Sequence, residues 1–84
     1  MFYLLNQHSN CTYIEPHSIM ELKNTIKEYR QKKGLTQEEL AFKAGVSRQT
    51  IISVERYRYK PSLELGMKIA SSLKTKIDVL FYFE

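Results

Sequence analysis

The chain has 84 residues, enough for one domain with a single core that needs neither metal nor cross-links. Its 43% hydrophobic content is that of a globular protein, and no apolar run reaches the ~18 residues a membrane span requires. The formal charge of +4 is uneven: residues 1–19 carry one Glu and no Lys or Arg, residues 20–60 carry ten Lys and Arg against five Glu, and residues 61–84 are balanced.

Residues 1–19 form a distinct N-terminal extension, aromatic and nearly uncharged. Phe2-Tyr3-Leu4-Leu5 and Cys11-Thr12-Tyr13-Ile14 flank a polar loop, Asn6 to Asn10, a pattern compatible with a β-hairpin. The extension lacks the basic start and long apolar stretch of a signal peptide. The single cysteine, Cys11, excludes an internal disulfide and fits a reducing cytoplasm. His8, Cys11 and His17 fall short of the four tightly spaced ligands of a closed zinc site, so no metal or cofactor is expected. Pro16 ends the extension and Ser18 is placed to cap a following helix.

Residues 20–84 read as helical. The first helix is expected over Glu21–Lys33, with Leu22, Ile26 and Tyr29 on one face and Gly34 as its stop. Thr36 and Glu39 form a capping box for a second helix over Gln37–Ala44, with Leu40, Ala41 and Ala44 inward. Gly45 supplies the positive φ of a sharp turn, and Val46 plugs that turn into the core. Ser47 caps a third helix over Arg48–Arg56, with Ile51 and Val54 inward. Pro61 and Ser62 open a fourth, where Leu63, Ile69, Ala70 and Leu73 recur at helical spacing. A short fifth helix is expected over Ile77–Phe81. Short connections make this an all-α, compact five-helix bundle.

Two short helices around a tight turn, the second with polar and basic side chains outward, are how a small protein presents a rigid head to the DNA major groove. The positive charge on residues 20–60 suits such a polyanionic partner. GLTQEELA, the Gly45-Val46 turn, SRQTI, a Glu four residues beyond Ile51, and PSLE after a short basic loop occur in one order and spacing. In these residues the chain resembles the Cro and phage-repressor type helix-turn-helix family, called XRE, from Met20 to about Phe81.

The resemblance implies a role for each matching position. Arg48, Gln49, Thr50 and Ser53 would face base edges, where Arg pairs with guanine and Gln with adenine. Gln37, Ser47, Arg58 and Lys60 would meet phosphates, which set affinity and salt dependence rather than sequence choice. Arg30 and Glu55 would form a structural ion pair between helices one and three. Lys32, Lys33 and Lys43 are read as solvated faces.

The chain also departs from the family pattern. Arg56-Tyr57 stands where Asn-Gly is usual, so either Tyr57 takes a strained positive φ or helix three runs on. Lys74 replaces a frequent Gly and Lys76 a frequent capping Ser, which weakens the fifth helix. Phe42, Ile52, Tyr57 and Val79 are apolar or aromatic at usually polar positions. With Phe81, Tyr82 and Phe83 they suggest additional covered surface, supplied by the extension or by a second subunit. A homodimer through Ile77, Leu80, Phe81 and Phe83 is expected. Residues 1–19 either pack near that interface or are translated sequence upstream of a start at Met20.

The function expected is a sequence-specific, DNA-binding transcriptional regulator, a repressor on a palindromic operator of double-stranded DNA. The alternative is an antitoxin-type protein whose apolar patches mask a toxin partner and whose DNA binding serves autoregulation. No paired carboxylates, Ser-His-Asp set, phosphate loop or metal cluster suggests an enzyme.

Overall fold

The computed structural model describes residues 21–84. The expectations placed on the extension, including the hairpin and the Ser18 cap, lie outside that range. The described elements are β1 (Leu22–Asn24), α1 (Ile26–Lys32), α2 (Gln37–Ala44), α3 (Arg48–Glu55), α4 (Leu63–Ser72), α5 (Ile77–Leu80) and β2 (Phe81–Phe83). The five helices are therefore accompanied by a two-stranded antiparallel sheet in which Leu22 faces Phe83, Lys23 faces Tyr82 and Asn24 faces Phe81.

The sheet corrects the expectation that helix one starts at Glu21. Leu22 lies on a strand and not on a helical face, because a partner strand from the far end of the chain is available to it. Glu21 and Glu84 exchange both backbone hydrogen bonds, at 3.1 and 3.0 Å, and Thr25 N donates to Leu80 O at 2.8 Å. α1 begins only after this ladder. No side chain of its N-cap residue Thr25 caps it, and Asn24 Oδ1 instead accepts from Ile26 N at 3.1 Å.

The helix-turn-helix segment forms as its local signals direct. Thr36 Oγ1 accepts from Glu39 N at 3.0 Å, and the Glu39 carboxylate accepts from Thr36 N at 2.8 Å. α2 ends at Gly45, whose φ of 74° closes the turn without the steric cost that a Cβ brings. Ser47 caps α3 by accepting from Thr50 N, and Ser62 caps α4 by accepting from Leu65 N. α3 ends at Glu55, with Arg56 in the capping position. Tyr57 takes the positive φ, at 62°, so the chain turns where the family pattern turns and helix three does not run on. Lys74 does the same at 55° in place of a glycine.

Ile26, Leu40, Ile51, Val54, Ile69, Leu73 and Leu80 are fully buried at the centre, and Tyr29, Leu35, Val46, Ile77 and Phe81 pack around them. Each such aliphatic side chain contributes about 1.5–3 kcal/mol of burial. Leu63 is not among them: it is 72% exposed, and Leu65 takes the inward place on α4. Leu80 was expected in a subunit interface, but it fills the core of its own protomer because α5 presses it against the bundle. α5 itself is one four-residue turn without a side-chain cap, and it ends at Leu80 and not Phe81.

Candidate nucleic-acid interface

The position of α3 follows from what it buries. Ile51 and Val54 are inaccessible to solvent, so the helix is locked with Arg48 and Gln49 exposed on the opposite side. Thr50 and Ser53 are half-buried at the edges of that outward face. Four of the expected contacts, Ser47, Gln49, Thr50 and Ser53, line one open hollow, together with Tyr59. Within it Ser47 Oγ lies 2.9 Å from Thr50 Oγ1, and Gln49 Nε2 lies 3.5 Å from Ser53 Oγ. Neutral donors and acceptors are thus presented together on a rigid helix, which is the chemistry of base-edge reading.

A second open hollow places Gln37 beside Arg48, with Arg30, Thr36 and Glu38 completing its walls. The start of α2 and the start of α3 therefore share a surface. Both helix N-termini lie on it, and their free N–H groups favour an anion such as a phosphate.

Beneath that surface lies a polar network. Arg30 Nε meets Glu55 Oε2 at 2.7 Å, with the two side chains only 9% and 4% exposed. Arg30 Nη2 reaches Glu55 Oε1 at 3.3 Å, and Nη1 donates to Leu35 O at 2.9 Å. Gln37 Nε2 donates to the same Glu55 Oε1 at 3.1 Å. Arg30 and Glu55 thus join α1 to α3, and Gln37 ties the start of α2 into the same carboxylate.

The loop after α3 carries the remaining basic residues. Arg58 N donates to Ser53 O at 2.9 Å and Tyr57 N to Val54 O at 3.0 Å, which fasten the loop to the last turn of α3. Tyr57 Oη donates to Asn24 O at 3.1 Å, and Lys23 Nζ sits 4.9 Å above the Tyr57 ring. The Arg58 and Lys60 side chains are exposed, and neither lines the two hollows.

Asn24 was missed by sequence reasoning. It is 8% exposed, and its Nδ2 donates to Val54 O at 2.9 Å, satisfying a carbonyl at the end of α3. Helical periodicity had placed it inside helix one. The only local hint is an Asn two residues before the first buried helical residue. The place of Tyr59 beside the α3 residues was also not legible, because an aromatic in a basic loop carries no periodic signal.

The family model described as Helix-turn-helix (HTH_3) matches residues 26–80. The chain is 52% identical over 63 residues to an uncharacterised HTH-type transcriptional regulator of Methanocaldococcus jannaschii, a match covering 75% of this chain and 96% of that relative. It is 38% identical over 56 residues to the HTH-type transcriptional regulator SinR of Bacillus subtilis, covering 66% of this chain and 50% of SinR. Among solved structures, the restriction-modification controller protein C.AhdI of Aeromonas hydrophila superposes with a TM-score of 0.61 at 38% identity, covering 62% of this chain and 79% of that one.

Proposed function

Because the chain belongs to the XRE-type helix-turn-helix family of DNA-binding transcriptional regulators, we propose that it acts as a repressor, binding a palindromic operator as a homodimer. The observation that carries this reading is the orientation of α3: Ile51 and Val54 anchor it in the core while Arg48 and Gln49 are exposed. In the major groove, Arg48 would pair bidentately with guanine and Gln49 with adenine, with Thr50 and Ser53 on neighbouring base edges. Gln37 and Ser47 at the helix starts, and Arg58 and Lys60 on the loop, would hold phosphates. A dimer on two half-sites about ten base pairs apart presents both α3 helices to one face of the duplex and obstructs polymerase sterically.

The experiment is selection from a random double-stranded DNA pool, with binding measured at two salt concentrations. An enriched palindrome with that half-site spacing is expected. Gln49→Ala should then weaken specific binding by about 1–3 kcal/mol and relax base choice at one position of each half-site, with unchanged thermal stability. Salt-sensitive binding without any enriched motif would overturn the sequence-specific reading.

A further inference from the structure

We propose that Tyr59 is a DNA contact, its hydroxyl donating to a backbone phosphate at the edge of each half-site. The inference rests on the reading of α3 as a major-groove helix, and it adds a residue to which the family resemblance assigned no role.

Three observations carry it. First, Tyr59 is 47% exposed yet lines the same hollow as Ser47, Gln49, Thr50 and Ser53, so the residue borders the outward face of α3. A duplex seated on that face must pass this residue. Second, the loop is held on the N-terminal side of Tyr59. Tyr57 N and Arg58 N bind the last turn of α3, and Tyr57 Oη anchors on Asn24 O. Tyr59 is therefore presented from a backbone fastened at the two preceding residues, which lowers the ordering cost of binding. Third, the two loop tyrosines differ. The Tyr57 hydroxyl is committed to Asn24, whereas among the described residues the Tyr59 hydroxyl has no hydrogen-bond partner.

The flanking residues indicate what it meets. Arg58 and Lys60 stand on either side in sequence, and both are exposed. Two cations adjacent in sequence favour a polyanion, and a phenol between them adds a neutral donor and an apolar ring that can rest on the sugar. Tyr is among the side chains that reach phosphate oxygens, and a hydrogen bond to a charged acceptor is stronger than a neutral one. Such a contact fixes the register of α3 in the groove without reading sequence.

A neutral donor leaves a signature that a cation does not. Phosphate neutralisation releases counterions and steepens the salt dependence, but a phenol releases none. Tyr59→Phe, which keeps the ring and loses the hydroxyl, should lower affinity roughly ten-fold per half-site. The loss should be similar on the selected operator and on a random-sequence duplex, and the slope of log K against log salt should not change. Lys60→Ala, measured in parallel, should flatten that slope by about one. Thermal unfolding of Tyr59→Phe should match the wild type, which separates a DNA contact from a packing role. Unaltered affinity of Tyr59→Phe would overturn the contact, and so would a loss confined to one base position or a changed salt slope. If the wild-type chain itself bound neither duplex, the major-groove reading would fall and this contact with it. Wild-type binding with an indifferent Tyr59→Phe removes the contact alone.

Discussion

The Glu55 carboxylate accepts from Arg30 of α1 and from Gln37 at the start of α2, while its own backbone closes α3. One side chain thereby sets the spacing of three helices beneath the surface proposed to meet DNA. With both partners nearly removed from solvent, the pair is not a screened surface bridge, and losing one partner leaves a buried charge uncompensated. Arg30→Ala should therefore destabilise the fold by about 3–5 kcal/mol in urea or thermal unfolding. Replacing both ends with apolar residues, Arg30→Met with Glu55→Leu, should recover part of that loss, since the unpaired charge is gone. A single substitution costing under about 1 kcal/mol would show that the network is not structural.

At the scale of the element, the helices differ in how their ends are secured. α2, α3 and α4 carry side-chain caps from Thr36, Ser47 and Ser62, and α2 closes on a left-handed glycine. α5 has neither device: its N-cap Lys76 makes no side-chain bond, and Lys74, two residues after the end of α4, adopts φ 55° against its steric preference. What secures α5 is tertiary, namely the buried Leu80 and the ladder that continues into β2. Among the described residues, no ion pair or side-chain hydrogen bond of the exposed Lys74 side chain offsets that strain. Lys74→Gly should stabilise the protein by about 0.5–1 kcal/mol, read as a raised unfolding midpoint in denaturant. Tyr57→Gly should not gain in the same way, although Tyr57 has a similar φ of 62°. Its hydroxyl bond to Asn24 and its ring under Lys23 would be lost with the side chain.

For the whole molecule, the distribution of apolar surface matters. Val79, Tyr82 and Phe83 remain 41%, 39% and 49% exposed around α5 and β2, although Leu80 beside them is fully inside. The proposed two-fold contact is left with the exposed Phe83 and with Ile77 and Phe81, which are half-buried against their own core, while Leu80 is withdrawn from it. Phe83→Lys places a charge in that contact on each protomer. Sedimentation should show weaker self-association of the variant, and operator affinity should fall with it, while unfolding shifts by no more than about 1 kcal/mol. A wild-type chain that sediments as a monomer at tens of micromolar would sink the dimer.

Features decided by neighbouring residues were legible in the sequence. The bounds of α2, the capping box of Thr36 and Glu39, the Gly45 turn and the Ser47 cap depend on contacts within one helical turn, so residue identity at fixed spacing determined them. The burial of Ile51 and Val54 followed from periodicity, and with it the outward face of α3. The Arg30–Glu55 pair and the proposed reading positions came from resemblance, since no local rule assigns a long-range partner or a base contact. Only the tertiary structure decided the rest. Leu22 to Asn24 became a strand because the segment from Phe81 to Phe83, at the other end of the chain, returns beside it. Asn24 became a support for α3, and Leu80 a core residue instead of an interface residue, for the same reason. Hydrophobicity states that a side chain must be covered and propensity states which local shape costs least, but which surface does the covering is settled only when distant segments meet.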